Sequence, residues 1–188
     1  MAPSFHFSCL SFSLLILIHV GATSVCNSAN TTVNLVEETC KKAADEDPNL
    51  TYKFCVTSLQ AVPKSNCTNL KELGLISMKL TKTNATHTKS YIKKLLKQKN
   101  MDPFYKSCLK SCLELYSNAV YSIKDAVKYY KGKHYLEANI EMSAVMDAST
   151  TCEDGFKEKE GVQSPLTKKD KDMFQLTALA LSIIEMLH

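Results

Sequence analysis

The sequence predicts an all-α protein: an up-down-up-down four-helix bundle preceded by an N-terminal helical hairpin and held by two disulfides. Three observations lead there. Four cysteines lie as mirror images about two turn signals. Apolar residues return every three or four positions, with no alternating strand pattern. Pro48, Pro63, Pro103, Gly132, Gly161 and Pro165 interrupt that pattern at intervals suited to short connections.

Residues 1–24 stand apart. Met1–Ser24 holds the apolar run Leu10–Val20 and then the small residues Gly21-Ala22-Thr23-Ser24, the layout of a signal peptide with its cleavage zone. The run is shorter than the about 20 apolar residues a bilayer span needs. A secreted protein is therefore expected, without a membrane span after cleavage. Cys9 leaves with the leader, and Cys26, Cys40, Cys55, Cys67, Cys108, Cys112 and Cys152 remain, an odd number that leaves at least one thiol free or paired between molecules. Asn30, Asn49, Asn66 and Asn84 each open an Asn-x-Ser/Thr triplet and are glycosylation candidates.

Residues 25–68 form an extension and the hairpin, with helices expected over Val33–Ala44 and Asn49–Leu59 around the breaker run Asp45-Glu46-Asp47-Pro48-Asn49. Cys40 and Cys55 are equidistant from Asp47-Pro48. When two helices fold back on each other, equidistant residues come level, which is the geometry a disulfide needs. A Cys40–Cys55 bridge is worth about 3 kcal/mol in the chain-entropy model.

Residues 69–188 form the bundle, within a single domain of 33–188. Its helices are expected over Asn69–Gln98, Asp102–Lys131, Tyr135–Lys157 and Thr167–Met186, with short connections that force antiparallel neighbours. Asp102-Pro103 places a cap before proline at the first helical position, and Thr167-Lys168-Lys169-Asp170 resembles an acidic capping box. The seam reads Leu73, Ser77, Leu80, Asn84, Thr88, Tyr91, Leu95 on the first helix and Tyr105, Cys108, Cys112, Leu115, Ala119, Ile123, Ala126, Tyr130 on the second. It continues with Tyr135, Ala138, Met142, Val145, Ser149, Cys152, Phe156 on the third and Met173, Leu176, Ala180, Ile183, Leu187 on the fourth. Cys112 and Cys152 are equidistant from Gly132, and their bridge is worth about 3–4 kcal/mol on the same model. Cys108 lies one turn earlier on the same face and competes for Cys152, slightly off the turn's centre. Cys67 and Cys108 fall at opposite ends of antiparallel helices, which argues against their pairing; Cys26 could pair with Cys67.

The residues point away from chemistry. The formal charge of +4 is mild and gives no nucleic-acid footprint. Cys108-x3-Cys112 has ligand spacing, yet no second Cys or His pair completes a metal site. No nucleophile elbow, zinc-protease helix or phosphate loop is present. Glu37-Glu38 and Glu153-Asp154 read as solvated faces or helix-dipole partners, and the basic stretch Lys89–Lys99 reads as a solvated helix end with Leu95 and Leu96 toward the bundle. The expectation is a protein without catalysis, cofactor or metal. One other class fits a bundle: a seam that binds an apolar small molecule, lined by Met142, Met146 and Tyr130.

A set of residues then carries a resemblance: Val33-x6-Cys40, Tyr52-x2-Cys55, Leu109-x2-Cys112-x2-Leu115-Tyr116-x2-Ala119, Tyr135-x2-Ala138-x4-Ser143-Ala144 and Thr151-Cys152-Glu153-Asp154-x-Phe156. Over essentially the whole mature chain this resembles the plant invertase and pectin methylesterase inhibitor family. Through Cys152-Glu153-Asp154-Gly155-Phe156-Lys157-Glu158-Lys159 it is most like the pollen members named for invertase inhibition. The resemblance implies the same two disulfides and a secreted stoichiometric inhibitor in the plant cell wall or apoplast, acting on an acid invertase or, alternatively, a pectin methylesterase. Invertase inhibitors of the family carry Pro-Lys-Phe between the second and third bundle helices. Here the matching loop is Lys131-Gly132-Lys133-His134-Tyr135, which keeps a cation and an aromatic and is the expected target-binding loop. Protonated His134 beside Lys133 would strengthen contact with an acidic cleft at low pH.

Overall fold

The structure is a computed structural model that describes residues 32–188; the leader, Cys26 and Asn30 lie outside the described residues. Six α-helices follow in order: α1 (Thr32–Glu46), α2 (Tyr52–Gln60), α3 (Leu70–Leu95), α4 (Pro103–Lys131), α5 (Tyr135–Lys157) and α6 (Thr167–Glu185). A short 3₁₀ turn, Pro63–Cys67, joins α2 to α3 and has no counterpart in the sequence expectation. Helices α3 to α6 pack as α3 on α4, α4 on α5, α5 on α6 and α6 back on α3, the up-down-up-down bundle.

Both bridges are formed. Cys40 joins Cys55 with Cα atoms 5.5 Å apart, and Cys112 joins Cys152 at 5.0 Å. These separations lie within the ordinary disulfide range. Cys108 is a buried free thiol that donates to the Gly155 carbonyl at 3.4 Å.

Caps set the helix starts. The Asp102 carboxylate accepts the Tyr105 N–H at 3.1 Å, and that bond holds its pKa below the usual carboxylate range. Asn69 caps α3 through the Glu72 N–H at 2.9 Å. Helix α2 begins later than Asn49, because Asp47 Oδ1 accepts the Asn49 N–H in the turn and Thr51 takes the cap position. The expected Thr167–Asp170 box does not form. The Thr167 hydroxyl donates instead to Glu153 Oε1 at 2.9 Å, while the Asp170 carboxylate turns inward and accepts the Tyr116 hydroxyl. Glu153 is accordingly no solvated face.

Two cores share one wall. The bundle core holds Met78, Ala85, Ile92, Tyr116, Ile123, Tyr130, Met142, Val145 and Phe156. The second core joins Val36, Cys40, Ala43, Leu50, Cys55 and Leu59 of the hairpin to Leu73 and Ile76 of α3 and Ala178, Leu179 and Ile183 of α6. Thr51 ties the hairpin to α6, its N–H and hydroxyl both donating to Gln175 Oε1 at 3.1 Å. This double duty corrects the seam on α3: its buried line runs through Ser77, Met78, Thr81, Ala85, Thr88 and Ile92, while Leu80, Asn84 and Tyr91 are only half-buried. On α4 the buried residue is Tyr116, with Leu115 beside it at the margin.

Candidate functional site

The α4–α5 connection is a built turn. Gly132 caps α4 with right-handed backbone, and Lys133 takes the left-handed conformation at φ 64°. The Lys133 N–H donates to the Tyr130 carbonyl at 3.1 Å and the His134 N–H to the Tyr129 carbonyl at 3.0 Å. That double bond pattern is a Schellman motif, with lysine where glycine is usual. Gly132 is not needed for its backbone angles, and a Cβ there would meet, at 2.8 Å, only Cδ2 of the exposed His134 ring, which can shift aside.

The turn presents cations at a rigid tip. Lys131, Gly132, Lys133 and His134 are exposed, and Tyr135 is half-buried. Lys128 and Lys131 lie in the last turn of α4, where cations complement the helix dipole, and Glu137 lies in the first turn of α5. His134 Nδ1 is 3.8 Å from Glu137 Oε1. Tyr135 packs edge-on against Tyr130, with ring centroids 5.5 Å apart, and His134 stands edge-on to Tyr129 at 6.5 Å.

Tyr130 anchors this arrangement. It is fully buried, and its hydroxyl donates to the Lys71 carbonyl of α3 at 2.9 Å. The ring lies over Gly74, where an added Cβ would meet the Tyr130 hydroxyl oxygen at 2.0 Å. So a glycine on α3 sets the seat of the residue that carries the turn. Sequence reasoning placed Tyr130 in the seam but missed Gly74; a glycine inside a long helical pattern was the available signal.

Elsewhere the expected sites fall as follows. Asn49 is exposed in the hairpin turn, with Nδ2 donating to Asp47 Oδ1 at 3.0 Å, and Asn84 is half-buried on α3. Asn66 belongs to the 3₁₀ turn. Glu37 and Glu38 line a surface groove of about 490 Å³ with Lys41 and Tyr52. A groove of about 430 Å³ between α5, α6 and the hairpin turn is lined by residues including Glu153, Asp170, Lys171 and Phe174. A third, of about 410 Å³, lies beside Cys108 and Cys152. None of the three is lined by Met142, Met146 or Tyr130, so they give no support to a ligand held in the seam. Among the described residues no three His, Cys, Asp or Glu side chains converge on a metal-sized site, and no helix is long and apolar enough to cross a membrane.

Comparison with known proteins bears on the chain as a whole. The chain matches the model of the family described as plant invertase/pectin methylesterase inhibitor over residues 34–183. It is 44% identical over 178 residues to a protein of Platanus orientalis named "Putative invertase inhibitor", covering 95% of this chain and 98% of that one. It is 26% identical over 182 residues to the Arabidopsis thaliana cell wall / vacuolar inhibitor of fructosidase 2, covering 96% and 98%. Among solved structures it is similar to a mutant form of a pectin methylesterase inhibitor from Arabidopsis, with a TM-score of 0.67 and 26% identity, covering 79% of this chain and 94% of that one.

Proposed function

The chain belongs to the plant invertase/pectin methylesterase inhibitor family, and from that membership we propose that it is a secreted stoichiometric inhibitor of an acid invertase. The cationic turn Lys131–Tyr135 docks in the active-site cleft of the enzyme. The observation that carries this reading is the turn itself: two exposed lysines and an exposed histidine on a backbone fixed by two helix-end hydrogen bonds. A preformed turn loses little freedom on binding. A glycosidase cleft holds paired carboxyl groups, and cations complement them. The names of the Platanus and Arabidopsis fructosidase relatives support invertase as the target. The leader-like segment Met1–Ser24 supports secretion, with the cell wall or apoplast as destination. Of the two sequons placed within helices or the hairpin turn, exposed Asn49 offers the easier seat for a glycan.

The solved neighbour favours a second reading, inhibition of pectin methylesterase. Titration of an acid invertase and of a pectin methylesterase with purified protein separates the two. Loss of invertase activity to an equimolar end point, with the esterase untouched, is the expected result. An esterase end point alone moves the assignment to the second reading, and silence with both removes the inhibitor proposal. His134→Gln should weaken invertase inhibition, since the ring is exposed at the tip of the docking turn.

A further inference from the structure

Two carboxyl groups meet inside the bundle, away from the turn. Asp170 on α6 is 3% exposed. One of its oxygens accepts the Tyr116 hydroxyl of α4, and the other, Oδ2, is buried with no hydrogen-bond partner. Glu153 on α5 repeats the pattern: Oε1 accepts the Thr167 hydroxyl, and Oε2 is buried without a partner. Both carboxyls line the same groove between α5, α6 and the hairpin turn. Two ionised carboxylates so placed repel each other, whereas one proton between them makes a short charge-assisted hydrogen bond.

We propose that the facing carboxyls of Glu153 and Asp170 are held together by a single proton, forming a latch that ties α5 to α6 in acid and opens as the pH rises. The surrounding groups leave that role to the proton. On α5, Asp154 is held by the Lys157 ammonium at 2.8 Å, and on α6, Asp172 by Lys168 at 2.8 Å. From α3, Tyr91 faces the Lys169 ammonium, 4.9 Å from its ring centroid. Lys157 and Lys171 line the adjoining groove with uncharged Asn49 of the hairpin turn, yet neither reaches the two orphan oxygens. The α4 partner Tyr116 stays a donor, because burial and then the Asp170 charge push its pKa far above the phenol range.

Burial, opposed by the Tyr116 hydrogen bond and reinforced by the charge of Glu153, pushes the Asp170 carboxyl up to about 7 from an ordinary 3.8. An acid raised in this way contributes its full stability below the ordinary value and loses that contribution as the pH climbs to the raised one. The latch therefore favours the fold in acid. It sits at the far end of α5 from the turn, about 27 Å away by helix rise, and next to the Cys112–Cys152 bridge. It governs the cohesion of the bundle rather than the docking surface.

Urea unfolding of the full chain at a series of pH values tests it. The folding equilibrium constant of the unaltered protein should fall about a hundredfold between about pH 4.5 and about pH 8. In Asp170→Asn an amide N–H replaces the shared proton, so the fall should shrink to less than about tenfold, with the variant the more stable protein at the alkaline end. An infrared carboxylic-acid C=O band near pH 6, lost in Asp170→Asn and in Glu153→Gln, is the direct signature. A flat profile in the unaltered protein, or an unchanged fall in Asp170→Asn, overturns the proposal. Should Asp170→Asn fail to fold, the infrared band decides through Glu153→Gln, and a band absent from the unaltered protein or retained in that variant overturns it equally.

Discussion

Replacing Gly74 with alanine sets two physical effects against each other, and the structure says which wins. On helix propensity alone the change should stabilise the protein by about 1 kcal/mol, because glycine is costly inside a helix. Yet the new methyl would lie 2.0 Å from the Tyr130 hydroxyl oxygen, 2.6 Å from its Cζ and 3.1 Å from Ile183 Cγ2. The phenol cannot swing into solvent: it is fully buried among α3, α4 and α6, and its hydroxyl is bound to the Lys71 carbonyl. Overpacking of this kind costs about 1–3 kcal/mol. Losing a buried hydrogen bond and stranding its acceptor adds about 1–3 kcal/mol. Set against the propensity gain, Gly74→Ala should destabilise by about 1–5 kcal/mol, read as a lower urea midpoint at unchanged slope. Because Tyr135 leans on Tyr130, inhibition should weaken as well. The double variant Gly74→Ala with Tyr130→Leu removes the atoms in conflict, so its cost should fall short of the summed single costs by more than about 1 kcal/mol. A neutral or stabilised Gly74→Ala, or strict additivity in the cycle, would refute the seat assigned to Tyr130.

Further outcomes follow from other parts of the molecule. Lys133→Gly should stabilise the fold by about 0.5–1 kcal/mol, because the left-handed backbone suits glycine, yet weaken inhibition by removing a cation from the tip; thermal unfolding beside an enzyme titration checks both signs. Cys112→Ala with Cys152→Ala should cost about 3–4 kcal/mol in urea unfolding, the closure entropy of the lost loop. Cys108→Ser should leave both bridges in place on non-reducing peptide mapping, since its thiol contacts a carbonyl and no sulfur.

Much of this architecture was legible because its determinants are local. Capping Asp102 and Pro103 depend on residues close in sequence, and the cysteine pairs on their symmetry about Asp47-Pro48 and Gly132; each is found as expected. The misreadings have a common cause. A single seam per helix was assumed, but α3 and α6 each face two cores, so their buried surface is wider than a stripe. Leu80 looked like seam and instead packs toward the hairpin, while the polar Thr81 lies at the bundle's centre, its hydroxyl bonded to the Ser77 and Leu176 carbonyls. Asp170 looked like a cap because only Thr167 lay near it in sequence; Tyr116, its partner, is far along the chain. The position of the turn was readable from symmetry and its glycine, but not its conformation. The left-handed residue is Lys133, where side-chain sterics would have placed Gly132.

The placement of α6 bears on how the molecule assembles. Each sulfur bridge among the described residues joins helices that follow one another directly, α1 with α2 and α4 with α5. Neither needs α6, so oxidation can outrun completion of the interior during synthesis from the N-terminus. Until α6 arrives, the pre-stapled halves carry open apolar faces, because Ala178, Leu179 and Ile183 finish one and Met173, Ala180 and Ile184 the other. The final helix thus acts as a keystone, and shortening it strips both arches at once.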